Sequence, residues 1–444
     1  MERKKLVVIG GGFAGLAVVK GLKKAPLDIT LIDKRNHHLF QPLLYQAATA
    51  TLSVRDIAIA LRQVFAKQDN TTVIMGDVTD IDKKNKMVVL GNGDLFPYDY
   101  LVVAIGSRHS YFGNDHFEKN APGIKTISDA LLIRERILTA FEKAERLDSI
   151  SETHKYLTFV IVGGGPTGVE CAGSIAELIQ KAMHKNFRRI RTEKARIFLI
   201  EGFDRLLPPF HPSLSERTKK DLEKLGVTVL TNRLVTNITE EGVQVGDTFI
   251  EARTVIWAAG NAIPPLVQCL ETPLDRQGRV LVEKDLSIPG HSEIFVAGDA
   301  AHFKFKDKIL PGVATVALQQ GRFLAKLLLK EAKQSHPSKH RKNGFVYFDK
   351  GNLATIGTGK AVGNIGNFRF KGLFAWLIWG FVHIAYLVGF RNRISVMLEW
   401  TIHYLTGARS ARIIQGTIDE NLPKREASAI LEAQEIKTLD RENR

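Results

Sequence analysis

Residues 6–15 read Leu-Val-Val-Ile-Gly-Gly-Gly-Phe-Ala-Gly, a short β-branched apolar run followed by glycines at G-x-G-x-x-G spacing. This order predicts a buried parallel strand, a tight turn and then a helix. Gly10 would permit the turn, Gly12 would let a pyrophosphate approach the backbone, and Gly15 would allow close helix packing. Asp33 ends the next apolar run, where a carboxylate can bind ribose hydroxyls. These features together predict a dinucleotide-binding site.

A second copy of the pattern lies at residues 159–168, which read Phe-Val-Ile-Val-Gly-Gly-Gly-Pro-Thr-Gly. Gly163, Gly165 and Gly168 would have the same roles as Gly10, Gly12 and Gly15, and a helix is expected to follow. Glu201 ends the next apolar run, although an intervening basic segment makes the spacing from glycine to acid longer than usual. A carboxylate at this position repels a 2′-phosphate, which favours NADH over NADPH.

Three further apolar runs end in small residues or an acid, at residues 100–106, 254–260 and 294–299. In this order the five motifs resemble the flavoproteins with two dinucleotide-binding domains. The resemblance implies an α/β fold of two doubly wound Rossmann-like domains, with FAD in the first and NADH in the second. The implied FAD ligands are Gly10, Gly12, Gly15, Asp33, Ala104, Gly106, Gly298 and Asp299. The expected NADH ligands are Gly163, Gly165, Gly168, Glu201 and Gly260.

Composition limits the remaining chemistry. The 444 residues include only two cysteines, Cys171 and Cys269, which are too far apart in sequence for a dithiol relay or a zinc site, and no metal site is predicted. The first apolar run is too short for a signal peptide, so secretion is not expected. The net charge of +15 favours anionic partners such as nucleic acid, acidic lipid or phosphorylated cofactors, with simple solubility as the alternative.

Four longer segments narrow the resemblance to one family: residues 38–48, 310–314, 316–321 and 345–354. From about residue 5 to about residue 416 the chain resembles the type II NADH:quinone oxidoreductases. This implies oxidation of NADH by FAD and electron transfer to a membrane quinone, without proton pumping. Disulfide reductases and sulfide:quinone reductases are disfavoured because both depend on cysteines near the flavin.

The resemblance also implies a quinone site, for which the expected residues are Gln46, Pro311, Ala314, Thr315, Gln319 and His383. One position departs from the family, whose pattern here is A-Q-x-x-x-Q, because Thr315 replaces the first glutamine. A threonine keeps a hydroxyl but loses the reach of the amide and its paired donor and acceptor. The identity of the quinone is therefore left open.

Glu170 and Gln319 are the predicted catalytic residues. By analogy Glu170, in the first turn of the second-site helix, would lie near the contact of nicotinamide and flavin and relay protons or tune NADH binding. The alternative is a glutamate favoured there by the helix dipole. His38 and His302 are candidate members of a proton relay, for which a core or solvated histidine is the preferred alternative.

The C-terminal part predicts attachment to a membrane surface. Residues 372–390 carry no formal charge, and at about 1.5 Å per residue such a helix would barely span a bilayer. An aromatic stripe and basic flanks instead favour a helix in the headgroup region. The stripe is Trp376, Trp379, His383 and Tyr386, and the flanking residues are Arg369, Lys371, Arg391 and Arg393.

A second predicted helix supports the same interpretation. Its mainly apolar face comprises Ile394, Met397, Leu398, Thr401, Tyr404 and Leu405. Arg409 and Arg412 follow, and between residues 366 and 416 six Lys or Arg face one acid, an excess that attracts anionic lipid. A buried helix with a dimerisation helix, and a true membrane span, are the alternatives.

The predicted organisation is a split FAD-binding domain around an NADH-binding domain, followed by a membrane-anchoring module that begins with a strand near Phe345. The expected boundaries are residues 1–130 and 285–340 for FAD, 131–284 for NADH, 341–416 for the module and 417–444 for a charged tail, either loosely helical or disordered. The expected location is the cytoplasmic face of the inner cell membrane, as a peripheral protein. A homodimer follows by analogy alone.

Two rival functions remain at this point. The first is a soluble NADH:acceptor reductase that passes electrons to an acidic protein such as ferredoxin. The second is a basic flavoprotein that binds nucleic acid, which no motif supports, because the basic excess lies near aromatic apolar helices. Binding of nucleic acid is therefore not expected.

Overall fold

The computed structural model describes residues 3–184, 186–333 and 344–414. Within these ranges the α-helices are α1 (Phe13–Gly21), α2 (Leu44–Ala48), α3 (Val54–Ile57), α4 (Leu61–Phe65), α5 (Ile127–Arg146), α6 (Ile150–Tyr156), α7 (Pro166–Glu177), α8 (Pro212–Glu223), α9 (Ala314–Lys333), α10 (Gly372–Tyr386) and α11 (Phe390–Thr406). The charged tail predicted from residue 417 onward lies outside the described residues.

The first fingerprint lies in a six-stranded sheet. Its strands, in spatial order, are Ser287–Ile288, His291–Val296, Tyr100–Val103, Lys4–Ile9, Leu27–Asp33 and Thr71–Met75. All except the edge strand Ser287–Ile288 pair in parallel, and burial of both faces explains their continuous apolar sequences. Two distant stretches of the chain therefore build one sheet, and their carboxyl ends share one edge.

The second fingerprint lies in a separate, fully parallel sheet of four strands. Their order is Val227–Leu230, Arg196–Ile200, Thr158–Val162 and Thr254–Trp257. The central strand Thr158–Val162 is buried along its whole length, as its apolar sequence predicts. The predicted class of two doubly wound Rossmann-like α/β units is therefore confirmed.

Smaller antiparallel elements complete the fold. Three-stranded sheets are formed by Val78–Asp82, Met87–Leu90 and Leu95–Pro97, by Val235–Ile238, Gly242–Val245 and Thr248–Glu251, and by Asn352–Gly357, Lys360–Ile365 and Phe368–Lys371. The two-stranded pairs are His37–Leu39 with Ala58–Ala60, Arg108–His109 with Asn261–Ala262, Val280–Leu281 with Ala301–His302 (the parallel one), and Lys304–Phe305 with Lys308–Ile309. The prediction of a strand near Phe345 is wrong, because the first strand of this region begins at Asn352.

The uncharged C-terminal segment does not form one helix of nineteen residues. Helix α10 ends at Tyr386, and α11 begins at Phe390. Arg393 fixes the break by donating from Nε to the Leu387 carbonyl oxygen (2.8 Å) and from Nη2 to that of Ala385 (3.1 Å). In the part of the chain that the structure describes, helix length and apolarity nowhere suffice to cross a bilayer.

The inner faces of α10 and α11 belong to the main hydrophobic core. The rings of Trp379 and Trp400 are buried 5.1 Å apart and share a cluster with residues of α2, α5 and α7. Burying about 200 Å² of an indole, at about 25 cal/mol per Å², stabilises the fold by about 5 kcal/mol for each of the two rings. The helices are therefore an integral part of the fold, and removing them would uncover its core.

Candidate functional site

The first glycine cradle is formed where the strand Lys4–Ile9 turns into α1. Gly10 has φ +102°, and its amide donates to the Ile32 carbonyl oxygen at 2.8 Å. A Cβ on Gly15 would overlap the Gly10 carbonyl oxygen, so helix and turn are in direct backbone contact. A Cβ on Gly12 would meet no atom within 4 Å. The cradle thus combines a tightly closed turn with an open position that a pyrophosphate can approach.

Asp33 is held against this cradle by two backbone amides. Its carboxylate accepts from Gly11 N at 2.6 Å and from Arg35 N at 2.7 Å. Because the strand Leu27–Asp33 lies beside the central strand, the carboxylate reaches the cradle edge where a ribose would lie. The structure therefore brings the four predicted residues of this fingerprint together.

The second cradle has the same backbone geometry as the first. Gly163 has φ +110°, a Cβ on Gly168 would overlap the Gly163 carbonyl oxygen, and Gly165 again faces open space. Glu201 accepts from Gly164 N at 2.5 Å and from Phe203 N at 2.8 Å. The longer spacing before Glu201 is taken up outside the sheet, so the carboxylate occupies the place equivalent to Asp33.

Further predicted residues line the carboxyl edge of the first sheet. Ala104 and Gly106 follow the strand Tyr100–Val103, and Gly298 and Asp299 follow His291–Val296, which pairs with it. Gly298 N donates to Gln320 Oε1 at 2.7 Å, and Asp299 Oδ2 accepts from Ser107 Oγ at 2.6 Å. The first site is therefore closed by a hydrogen-bonded edge that includes Gln320 and Ser107, which the sequence patterns had not indicated.

Gly260 stands at the equivalent edge of the second sheet, in tighter surroundings than the sequence predicts. A Cβ there would lie 2.7 Å from the Phe112 ring and 2.8 Å from the Ser110 carbonyl oxygen. The Phe112 side chain is 68% exposed. This edge thus carries an exposed aromatic ring, and sequence reasoning missed it because Phe112 lies far from the second fingerprint.

Glu170 is fully enclosed where α7 meets the C-terminal sheet. Its Oε1 accepts from Thr355 N at 3.3 Å. Burial raises the pKa of its carboxyl to about 8, against the opposing effect of that hydrogen bond. The prediction that it lies in the first turn is wrong, because α7 begins at Pro166 and its first turn contains no acid. The helix-dipole alternative loses its basis.

A small polar cavity opens beside Glu170. Its wall includes Gln46, Glu177 and Arg409, contributed by α2, α7 and the segment after α11. Arg409 is buried, and its Nη2 donates to the Ser174 carbonyl oxygen at 2.8 Å. Glu177 accepts from Lys181 Nζ at 2.9 Å. No local motif marks Glu177 or Arg409, so only the fold reveals this cluster.

The six expected quinone residues divide between two places. Gln46 lies on α2, where its Oε1 accepts from Trp400 Nε1 at 2.7 Å. Gln319 lies on α9, and its amide closes a two-bond bridge to the backbone of Phe348, with both distances 3.0 Å. Ala314 and Thr315 begin that helix, and Pro311 precedes it by three residues. The predicted amides are thus engaged within the protein, one in each group.

His383, the sixth expected residue, lies on α10. Its Nδ1 bonds the Trp379 carbonyl oxygen at 2.7 Å, and its ring meets Phe40 edge-on at 6.1 Å. One turn further along, Tyr386 accepts from Lys350 Nζ at 2.7 Å. Burial lowers the pKa of His383 to about 4, so this imidazole is neutral at physiological pH.

The two other candidate histidines favour structural roles. His38 Nδ1 bonds the Gly11 carbonyl oxygen at 2.9 Å, and burial lowers its pKa to about 4. His302 Nδ1 bonds Asp275 Oδ2 at 2.8 Å. Both imidazoles have a protein partner that fixes the ring, as the preferred alternative predicts.

The outer faces of α10 and α11 carry a continuous set of exposed apolar side chains, called here the apolar face: Leu373, Phe374, Leu377, Phe381, Phe390, Ile394, Met397, Leu398, Ile402 and Leu405. Two sequence expectations are wrong in detail. The aromatic stripe turns inward, since Trp379 is buried and Trp376 packs on Tyr404 with ring centroids 4.6 Å apart. Arg409 and Arg412 also point into the protein, where Arg412 Nη1 donates to the Ala182 carbonyl oxygen at 2.8 Å.

Metal chemistry finds no support in the described ranges. Residues 3–184, 186–333 and 344–414 contain no group of three or more His, Cys, Asp or Glu suited to a metal ion. The two cysteines are free; Cys171 is buried, and burial raises the pKa of its thiol to about 12.

Two family models match the chain. One, described as pyridine nucleotide-disulphide oxidoreductase, covers residues 4–321, and one described as the NDH2 C-terminal domain covers residues 350–409. The first therefore spans both glycine cradles, and the second spans the sheet beside Glu170 together with α10 and α11.

Curated relatives and solved structures agree with these matches. Type II NADH:quinone oxidoreductase Ndh of Mycobacterium tuberculosis is 44% identical over 92% of this chain and 89% of its own length. The relative NdhA of the same organism is 42% identical over 98% of this chain and 95% of its own length. The structure of NDH2 from Plasmodium falciparum in complex with NADH has a TM-score of 0.83, with 24% identity over 92% of this chain and 99% of that one.

Proposed function

Because this chain belongs to the type II NADH:quinone oxidoreductase family, it is an FAD-dependent NADH dehydrogenase, and we propose how its residues divide the work. Electrons pass from NADH through FAD to a quinone. The observation that carries the division is the duplication of the glycine cradle, each copy with a carboxylate held by two backbone amides.

The first cradle would hold FAD. Gly12 leaves room for the pyrophosphate, the α1 N-terminus offers amides and a positive dipole end, and Asp33 would accept from the ribose. Gly10 and Gly15 keep the turn close to the helix, while Ala104, Gly106, Gly298 and Asp299 line the edge along which the rest of the cofactor would lie. Bound flavin supplies hydride acceptance, chemistry that protein side chains lack.

The second cradle would bind NADH as an exchanging substrate. Gly163, Gly165 and Gly168 form the pyrophosphate seat, and Glu201 would accept from the adenosine ribose hydroxyls. A 2′-phosphate at this carboxylate would be repelled, so NADH is preferred over NADPH. Gly260 and the exposed Phe112 would form the outer wall of this site.

Glu170 would hold a proton for the reaction. Reduction of a quinone consumes two electrons and two protons. At neutral pH the Glu170 carboxyl is mostly protonated, because its pKa is about 8, and it borders a polar cavity through which the proton could be replaced. A general acid works best with a pKa near the operating pH.

The quinone would approach between α10 and the segment 344–351. Pro311, Ala314, Thr315 and Gln319 would form one wall, with Gln46 and His383 on the opposite side. Gln319 would act by holding the segment 344–351 through its two bonds to Phe348, rather than by presenting a free amide. The hydroxyl of Thr315 would replace the family amide as a polar contact.

The apolar face supports peripheral attachment to a membrane, and we propose that the membrane side is the cytoplasmic one. A contiguous apolar surface of this size is rarely left facing water, and Arg369, Lys371 and Arg391 lie at its margins with exposed side chains. Non-pumping turnover and the absence of nucleic-acid binding belong to the same proposal. A homodimer that buries the apolar face is the competing use of this surface.

The rival function of a soluble reductase for an acidic protein loses part of its support, because Arg409 and Arg412 bond backbone carbonyl oxygens inside the protein. Family membership names a quinone as the acceptor instead.

The test is NADH oxidation by the FAD-loaded full chain with and without a short-chain quinone. Quinone-dependent turnover is expected, and flavin that NADH reduces but quinone cannot reoxidise would refute the acceptor. Attachment is tested by flotation with anionic vesicles after Phe374→Ser, Phe381→Ser and Leu398→Ser together. The matched control changes exposed apolar residues elsewhere, Met75→Ser and Ile150→Ser. Flotation should fall only in the first variant, and a fall in dimer content instead would favour the homodimer.

A further inference from the structure

A cation beside the first cradle has no role in the assignments above. Lys125 Nζ donates to Ser107 Oγ at 2.8 Å, and Ser107 Oγ donates to Asp299 Oδ2 at 2.6 Å. The three side chains come from separate places in the sequence: the residue before the cap of α5, the turn after Tyr100–Val103, and the turn after His291–Val296. They form one relay, called here the Lys125–Ser107–Asp299 chain.

The backbone of Lys125 is fixed on both sides. Its amide and that of Thr126 donate to Asp129 Oδ2, at 3.0 and 2.8 Å, as part of the capping box of α5. Its carbonyl oxygen accepts from Gln41 Nε2 at 3.1 Å. The side chain therefore starts from a rigid point, so its direction toward Ser107 is set by the fold rather than chosen from many rotamers.

The ammonium group has donors to spare. An ammonium carries three N–H groups, and within the described residues Lys125 Nζ donates to Ser107 Oγ alone, with no ion pair within 4 Å. Burial lowers the pKa of Lys125, while the nearby Asp299 carboxylate opposes that shift. Two of its N–H groups therefore remain available to a ligand at this edge.

Asp299 is oriented by the same chain. Its Oδ2 is occupied by Ser107, and a Cβ on Gly312 would lie 3.0 Å from its carboxyl carbon, so the carboxylate is confined on two sides. The other oxygen, Oδ1, is left for a ligand hydroxyl. The Lys125 ammonium is the nearby opposite charge, and one hydroxyl lies between the two groups.

We propose that Lys125 is a positioning residue of the FAD site: through Ser107 it orients Asp299 and balances its charge. The inference rests on the proposed function, in which FAD lies along this edge. FAD bound at this edge would supply hydride acceptance, which adds one negative charge to the site. Lys125 would balance the Asp299 carboxylate when that charge is added, and its loss would leave the carboxylate unbalanced.

The test is the midpoint potential of the bound flavin, measured by reductive dye titration in the absence of NADH and quinone. Lys125→Gln should lower the potential, changing the equilibrium with the dye on the order of tenfold, since unit charges several ångströms apart interact at this scale. Asp299→Asn should raise it by a similar factor. The double variant should return close to the wild-type value, and Lys125→Arg should keep it.

The Ser107→Ala variant distinguishes the orientation of Asp299 from the charge of Lys125. It removes the bridging hydroxyl but neither charge, so it should weaken FAD binding to the apoprotein while leaving the potential of the bound flavin near the wild-type value. A Lys125→Gln potential equal to that of the wild type would overturn the proposal, as would a double variant that keeps the full decrease. Neither result touches the proposed function, which fails only if NADH does not reduce the wild-type flavin or quinone does not reoxidise it.

Discussion

The two glycine cradles share one backbone design but differ in what closes them. The first is bordered by the Lys125–Ser107–Asp299 chain and by Gln320, all engaged in hydrogen bonds. The second is bordered by Gly260 and by the exposed side chains of Phe112 and Phe203, which are 68% and 67% exposed. A closed polar edge suits a resident cofactor, whereas an open apolar edge suits a substrate that enters and leaves at every turnover.

The helices that follow the cradles differ in the same sense. Two residues past the last glycine, α1 has Ala17, and a Cβ on Gly321 of α9 would lie 2.8 Å from the Ala17 side chain. At the equivalent place α7 has Glu170, which faces a polar cavity. The first helix is packed for stability, and the second carries a titratable group. In the duplicated fold, the first helix thus serves to hold the cofactor site together, whereas the second carries a group that can take part in the reaction.

The largest effects are expected when each cradle is blocked at the glycine that lies closest to a backbone carbonyl oxygen. In Gly15→Val the side chain would collide with the Gly10 carbonyl oxygen, so we expect the loss of bound FAD and of all activity, with a lower melting temperature. Gly168→Val makes the same collision with Gly163 but should retain FAD while NADH no longer reduces it. Flavin absorbance and anaerobic mixing with NADH distinguish the two.

Retention of stoichiometric FAD by Gly15→Val, or its loss from Gly168→Val, would contradict the assignment of the cradles. Gly12→Ala is a milder control, since a Cβ there meets no protein atom within 4 Å. It should fold normally and yet weaken FAD binding, because the added methyl group would occupy the approach of the pyrophosphate.

The carboxylates allow a second, smaller perturbation. Glu201→Gln should raise the KM for NADH about tenfold to a hundredfold, because a hydrogen bond to a charged group contributes about 1.5–3 kcal/mol. It should also improve the relative kcat/KM for NADPH, while FAD content is unchanged. Asp33→Asn should do the reverse, weakening FAD binding without altering the preference between the two nucleotides. Steady-state kinetics with both nucleotides provide the measurement.

Much of the fold could be predicted from sequence, because strand, glycine turn and helix are local patterns. Both fingerprints, Asp33 and Glu201 lie where the order of apolar runs places them, since a carboxylate at a strand end must emerge at the sheet edge. The apolar face of α11 could also be read in part from periodicity, because Ile394, Met397, Leu398 and Leu405 are exposed as expected. Short segments of the chain are therefore enough to predict the fold class.

The remaining features depend on contacts between residues far apart in sequence. Arg409 resembles a surface cation in the sequence, but the fold buries it against carbonyl oxygens of residues 49 and 174. Gln319 fits a quinone-binding pattern, but its amide is bonded to Phe348. Lys125 carries no motif at all. In each case the hydrogen-bond partner lies far away in the sequence, and only the fold brings the two residues together. A local sequence pattern therefore cannot predict the contact.

Glu170 provides a third test, at the point where α7 differs from α1. If its proton is used, quinone-dependent kcat should fall as the pH rises through about 8, where the carboxyl loses its proton. Glu170→Gln should lower kcat about tenfold and remove that step from the pH profile. Reduction of the flavin by NADH, measured by stopped flow, should change less than reoxidation by quinone. An unchanged pH profile would rule out the proton role.

The same group makes a prediction about stability. The folded pKa, about 8, is above the ordinary value of 4.5 for a glutamate, so the folded state binds more protons than the unfolded state between these values. The contribution of Glu170 to stability is therefore fully present below about pH 4.5 and is lost as the pH rises through about 8. Glu170→Gln should gain melting temperature relative to the wild type at pH 9 compared with pH 6. Equal differences at the two pH values would refute the buried, protonated state.

The smallest expected effect concerns the open edge of the second cradle. Phe112→Ala removes an exposed ring that stands over Gly260 but makes no hydrogen bond to either carboxylate, so we expect the KM for NADH to rise only about threefold, on the order of one lost apolar contact. Phe112→Leu should restore most of the affinity if the ring acts by covering apolar surface. FAD content, flavin potential and kcat with quinone should all stay at wild-type values. A matching change at the closed edge, Ser107→Ala, should instead affect FAD and spare the KM for NADH. If both substitutions affected the same ligand, the two edges would not serve two different cofactors.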